Sequence, residues 1–404
     1  MSDSIVYFLG AGASRHAHRD TPVVNDFFEK CASYVHESTV WVALVTLEWH
    51  RAFENRVPEL ENFAAAIRLT EGEEQSKLVK LYADKFRQSE ERKRENLEAV
   101  FVKAEQLKEA GEDPPFQRLA FLINFIFSRL DQDAPYGETY EELASALKED
   151  LEISPNLTHV LVSYNYDLWL EKSLFKHGIW GPTWGYGDII KQCVNPLGDS
   201  DEHAPMVDVV EQNPSQVFQN RVIVIKPHGS LSWFGSREDP SSLALMLENA
   251  TSNSNVRYHE KYWFTAIKAG GEIRKPTRLE PLIVPPVPAK RRSHPFFWKT
   301  DQWLQRHLNQ ARTIVVIGWS LPEADIEQRG MIEHEIRHRY NQIEDLVVCD
   351  LSQNQRHYAK FEVLFRPKNG IDRWNEGFTS AFVQHFRERY LHRAAEASSI
   401  VPPS

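Results

Sequence analysis

The sequence predicts an α/β fold, a Rossmann-like parallel sheet with helices on both faces, plus a large helical insertion. Three observations carry this. Apolar runs at residues 5–9, 161–163, 222–225 and 313–317 read as buried strands. Segments with helical apolar spacing lie between them, and strands alternating with helices imply a parallel sheet covered on both faces. The first run breaks straight into Gly10-Ala11-Gly12, a tight strand-to-helix turn.

The elements follow in order. The first βα unit covers about residues 4–36, with Val23, Phe27, Phe28 and Cys31 as the apolar stripe of its helix. From 38 to 150 the pattern turns helical and charged. Leu78, Val79, Tyr82 and Phe86 recur at helical spacing, as do Leu97, Phe101, Ala104 and Leu107, until Gly111-Glu112-Asp113-Pro114-Pro115 stops the helix. An apolar helix at 119–130 follows. The sheet resumes at 159–163, a helix covers 168–175, and residues 180–220, rich in Gly, Pro, Asp and Asn, read as a long loop region. Beyond it come a short strand at 281–284, an aromatic helix at 295–310 and a strand at 313–317. A helix carrying Met331, Ile332 and Ile336, a final strand at 345–350 and a terminal helix near 375–396 close the chain. The division that results is a core of residues 1–37 with 151–235 and 281–404, a helical insertion at 38–150, and a second small insertion at 236–280.

Composition narrows the class. At 404 residues and 42% hydrophobic content, the chain is that of a folded protein able to bury a large core. A net charge of −10 argues against direct, sequence-independent nucleic-acid binding, which needs a basic surface to release counterions. The three cysteines, Cys31, Cys193 and Cys349, form no CxxC pair, which excludes a disulfide framework and a four-cysteine zinc module. No HExxH spacing occurs, so no metal is expected. With no apolar stretch of about eighteen residues and no signal-type leader, the expectation is a cytoplasmic protein without a membrane anchor.

The chemistry-bearing residues fall just past the ends of the buried runs, the edge where open α/β sheets bind ligands. One run ends in Ser163-Tyr164-Asn165-Tyr166-Asp167, another in Lys226-Pro227-His228-Gly229-Ser230, and a third in Gly318-Trp319-Ser320-Leu321-Pro322-Glu323-Ala324-Asp325. After the first run, the glycines allow a backbone to approach a pyrophosphate, with the N–H groups of the next helix facing it. Asn165 carries donor and acceptor on one amide and can orient a water or ribose hydroxyls. His228 can take a proton near neutral pH, and Gly229 beside it leaves space for substrate. Asp167 either holds the Asn165 loop, faces a ribose or caps the next helix. Asp325 lines the same cleft or caps a helix. Asp350, at a strand end, can accept from an adenosine ribose.

These motifs, together with Gly10-Ala11-Gly12-Ala13-Ser14, Thr21-Pro22-x-x-Asn25-Asp26-Phe27 and Leu282-Ile283-Val284-Pro285-Pro286, stand in the order of a known family. The chain resembles the sirtuin-like superfamily, specifically the prokaryotic sirtuin-like NAD hydrolases of anti-phage defence. The resemblance implies that Asn165 and His228 are catalytic and that Gly10, Ala11, Gly12 and Ser14 meet the NAD phosphates. It also implies that Asn25 and Asp26 lie on a loop covering the nicotinamide end, and that Gly318 and Ser320 make phosphate and ribose contacts. NAD would be the substrate, cleaved to nicotinamide and ADP-ribose without metal. A co-encoded HerA-type hexameric ATPase is implied as partner, or less often a short Argonaute, while the long mixed-charge helices of the 38–150 insertion are themselves expected to make the contacts of a homo-oligomer. The missing zinc module departs from the deacylase branch. The alternatives are an ADP-ribosyl transferase or NAD-dependent deacylase, which need an acceptor groove, and a non-catalytic NAD or ADP-ribose sensor, which needs neither Asn165 nor His228.

Overall fold

β-Branched and aromatic side chains pack well on a pleated surface, and the fully buried runs at 4–9, 158–163 and 222–225 are built from them. The computed structural model describes residues 4–17, 137–182, 184–187, 192–194, 203–208, 220–235, 243–246, 263–266, 277–278, 280–284, 295–322, 325–352 and 354–391. It also describes Thr21, Phe27, Glu74, Lys77, Ile123, Phe127, Leu130 and Phe218. In chain order the elements begin with β1 (Ser4–Leu9), α1 (Ala11–Ala17), α2 (Glu138–Ile153), β2 (Thr158–Ser163) and α3 (Trp169–Lys176). Seven shorter or mixed strands and one longer one come next: β3 (Gln192–Val194), β4 (His203–Asp208), β5 (Val222–Ile225), β6 (Gly229–Gly235), β7 (Leu243–Met246), β8 (Trp263–Ala266), β9 (Thr277–Arg278) and β10 (Glu280–Ile283). The chain then runs through α4 (Pro295–Gln310), β11 (Ala311–Ile317), α5 (Ile326–His338), β12 (Asp345–Cys349), α6 (Gln355–Phe365), β13 (Ile371–Trp374) and α7 (Ser380–Tyr390).

The principal sheet has the order β13-β12-β11-β1-β2-β5, and every pairing in it is parallel. Counted along the chain this is the doubly wound arrangement, reversing direction beside β1, and the fold is therefore the Rossmann-like α/β class the sequence predicts. Side chains alternate between two cores. Ile5, Tyr7 and Leu9 face one side with α2 (Tyr140, Leu143, Leu147) and α7 (Phe382, Phe386). Val6 and Phe8 face the other with α4 (Leu304, Leu308), α5 (Ile332, Ile336) and α6 (Phe361, Leu364).

Register sets up the site. Leu9 pairs with both Ser163 and Ile317, and Ile317 pairs with Cys349, so β1, β2, β11 and β12 end at one level. The residues that follow, Gly10, Tyr164, Gly318 and Asp350, come from distant parts of the chain yet begin at one edge.

Several elements differ from the sequence reading. Residues 180–220 are not one loop, because β3 and β4 lie there, and 236–280 contributes β7, β8 and β9. All join a seven-stranded mixed sheet of order β10-β6-β7-β3-β4-β8-β9. Most of its members are four residues or fewer, and their loop-like composition conceals them. The strand at β12 is not the last. An N-cap at Asn354, whose side chain accepts from the Arg356 N–H, opens α6, and β13 then adds an edge strand whose half-exposed Ile-Asp-Arg-Trp shows no apolar run. α2 lies at the end of the segment read as the helical insertion, and it covers the sheet directly. Ile123, Phe127 and Leu130 are helical and buried in the same core, as the expected helix at 119–130 requires. The stripe residues Val23, Phe28 and Cys31 and the periodic sets from Leu78 to Leu107 lie outside the described residues. Among the described residues no helix is long and apolar enough to cross a membrane.

Candidate active site at the C-terminal edge of the parallel sheet

The glycine turn after β1 packs backbone to backbone against the turn after β11. Gly12 N–H donates to Gly318 O at 3.1 Å, and a Cβ on Gly10 would stand 2.5 Å from the same oxygen. Gly318, with φ of 58°, presses equally closely on Ala13 N. Mutual approach of the two turns therefore requires these glycines even before any ligand is considered.

Beneath the turn lies a fully bonded polar network. Asn165 Nδ2 donates to Gly10 O at 2.9 Å and to Ser14 Oγ at 2.8 Å, so both amide hydrogens are committed. Ser14 Oγ in turn donates to Asp167 Oδ2 at 2.7 Å, and Tyr140 OH lies 3.2 Å from it. Ser14 is wholly buried. The phosphate contact expected of it is not what its hydroxyl does in this structure, since that proton goes to Asp167. Asp167 takes two of its three expected roles: Oδ2 holds the loop through Ser14, and Oδ1 caps the next helix by accepting from Trp169 N–H at 3.4 Å. Burial raises the Asp167 carboxyl above its usual range, with the Lys226 charge working against it.

Lys226, which sequence reasoning passed over, anchors this network. Its ammonium donates to Asp167 O at 2.7 Å and lies 3.0 Å from Glu171 Oε1, with both side chains fully buried. A lysine ending a buried strand was the available signal, because a buried ammonium needs partners.

His228 follows β5. Its Nε2 lies 2.9 Å from Asp325 Oδ1, and both groups are buried. Tyr164 meets the imidazole edge-on at 5.1 Å between centroids, and Tyr166 lies at 6.2 Å. Gly229 does not leave space for substrate. Its φ is 81°, and a Cβ there would collide with Leu282 O of β10 at 1.8 Å. Asp325 stands at the N-cap of α5, but its side chain makes no capping bond and its Oδ1 is turned to His228 instead.

At the β11–β12 side a cavity of about 70 Å³ is lined by Gly12, His16, Gly318, Cys349, Asp350 and Gly377. His16 Nε2 has no hydrogen-bond partner, and burial lowers its pKa against the pull of Asp350. Burial pushes the Asp350 carboxyl up, but hydrogen bonds from His357 and from Ser352 N–H, the latter at 2.8 Å, outweigh it and hold the group below the usual range. Ser320 is exposed, and its carbonyl accepts from Lys360 Nζ. Asn25 and Asp26 lie outside the described residues. The structure thus brings together Gly10, Ala11, Gly12, Ser14, Asn165, Asp167, His228 and Gly318, with Asp350 at the same edge. Among the described residues no group of three or more metal-ligating side chains occurs.

No protein-family model matches this chain, and no curated protein matches it significantly. The fold class rests on the strand order and packing alone, and function must be argued from the site.

Proposed function

We propose that this protein is an NAD hydrolase of the sirtuin-like type, cleaving the bond between nicotinamide and ribose. The observation that carries the reading is the convergence of Asn165, His228 and the Gly10–Gly12 turn at the C-terminal edge beside the strand-order reversal, where doubly wound sheets take dinucleotides. Nicotinamide leaves as a neutral base from a cation, through an oxocarbenium-like state. The site then needs to position a water against the anomeric carbon and to take one of its protons. Water supplies the oxygen, and the products are nicotinamide, ADP-ribose and a proton. His228 is the base. With its amide hydrogens spent on Gly10 O and Ser14 Oγ, Asn165 offers its Oδ1 to the water or ribose and ties the turn to that position. Asp350, kept ionised, is the acceptor for an adenosine ribose, and the cavity beside it belongs to that end of the substrate.

The resemblance supports a wider reading: a cytoplasmic, self-associating effector of anti-phage defence that depletes NAD under the control of a co-encoded HerA-type ATPase, or secondarily a short Argonaute. The chain would act without metal. Purified protein, with and without its co-encoded partner, is expected to release equimolar nicotinamide and ADP-ribose from NAD in the presence of EDTA, as chromatography will show. Binding without turnover under every condition would favour a sensor, and a labelled protein acceptor a transferase.

A further inference from the structure

We infer that Asp325 is a positioning residue that fixes the tautomer of His228, so that Nδ1, not Nε2, is the nitrogen that accepts the proton. The inference rests on the reading of His228 as the base. An aspartate at a helix N-cap ordinarily accepts from the backbone N–H groups of the first turn. Asp325 occupies that position at the start of α5 and makes no such bond. Its Oδ1 is instead 2.9 Å from His228 Nε2, across 97 residues of sequence, with the carboxylate side chain 1% and the imidazole 7% exposed.

The segment that delivers Asp325 is held for that purpose. Gly318 and Leu321 both take left-handed backbone conformations, with φ of 58° and 52°, and the second is costly for a branched side chain. Between them Trp319 is clamped between Phe8, stacked at 5.0 Å, and Tyr164, stacked at 4.7 Å. Asp325 N–H closes the turn by donating to Pro322 O at 3.1 Å. Tyr164 also packs edge-on against His228, so one aromatic ring braces both the imidazole and the loop that carries its carboxylate. Backbone strain kept at a site by surrounding packing is a mark of pre-organisation.

The chemistry follows from the contact. An ionised carboxylate only accepts, so Nε2 carries the hydrogen and the lone pair resides on Nδ1. As water adds to the anomeric carbon and the bond to nicotinamide breaks, the water proton passes to Nδ1. The resulting imidazolium is stabilised by Asp325, which stays ionised.

The test uses the full-length chain labelled with [15N]histidine, with the His228 resonances assigned by their loss in His228→Gln. At a pH where the ring is neutral, wild type is expected to show a single tautomer protonated on Nε2. Asp325→Ala, or Asp325→Ser should the alanine variant not fold, is expected to show a mixture of tautomers. Its kcat for NAD should fall about 10²-fold or more while KM stays within a few-fold. A wild-type ring protonated on Nδ1, or a tautomer unchanged by loss of the carboxylate, overturns the inference whatever the activity. A shifted tautomer with wild-type kcat overturns the positioning role. If wild type shows the expected tautomer but hydrolyses no NAD, the orientation of His228 by Asp325 stands and the function proposed above falls.

Discussion

Two buried histidine–aspartate pairs occupy opposite ends of the same parallel sheet. His159, near the start of β2, has Nδ1 3.0 Å from Tyr7 OH and Nε2 3.2 Å from Asp150 Oδ2, and both side chains of the ion pair are wholly enclosed. His228, past the end of β5, is held by Asp325 at 2.9 Å in a slightly open setting. Each imidazole sets Nε2 against a carboxylate oxygen. What separates them is the end of the sheet on which each falls. His159 has both ring nitrogens engaged beneath α2, where it ties Tyr7 of β1 to the covering helix. His228 faces the edge where the chain's turns diverge, beside the glycine turn and the Asn165 network. A carboxylate-bound histidine is therefore a fastening or a candidate base according to the strand end it occupies.

Exchanging the roles is the strongest way to break this comparison. His228→Ala is expected to lower the rate of NAD hydrolysis by about 10²–10⁴-fold with the melting temperature nearly unchanged. His159→Ala should do the reverse. It takes a buried polar partner from both Asp150 and Tyr7, a change that costs about 1–3 kcal/mol, while turnover per folded molecule stays near wild type. Chemical denaturation alongside a nicotinamide-release assay separates the two effects. A His159 variant that folds normally but is inactive would erase the distinction.

A third histidine sharpens it. His307 on α4 is buried with no hydrogen bond on either ring nitrogen, and burial, aided by the Arg306 charge, lowers its pKa to about 4. A depressed folded value means that the unfolded chain binds the proton first. The stability His307 permits is thus complete above about pH 6.5 and lost as pH falls toward about 4, by up to about 3 kcal/mol. His307→Phe, which keeps the stacking on Trp303, is expected to flatten this acid dependence in thermal melts between those pH values. A profile identical to wild type would show that the group does not titrate there.

The smallest expected effect lies at the far end of the cleft. Asp350→Ala removes an acceptor at the end of β12 and is expected to raise KM for NAD by about tenfold, roughly 1.4 kcal/mol, with kcat little changed. An equal fall in kcat would move Asp350 from ribose binding to the reacting centre.

The strand ends that carry this site were legible because buried parallel strands read as short apolar runs and because glycine, asparagine and histidine are unlike what packing alone would put after them. The aromatic helix, too, was predicted at the residues it occupies, 295–310, from composition and spacing. Short strands of the second sheet escaped, since β3 and β9 are only three and two residues long, too short for any period to show. Fold class and the order of the motifs were determined by the sequence, because local periodicity and turn chemistry are encoded in neighbouring residues. Only the tertiary structure decided that Ser14 serves Asp167, that Gly229 makes way for β10, that Lys226 is buried against Glu171 and that Asp325 pairs with His228. Each of these depends on register between strands separated by many residues, which no local pattern specifies.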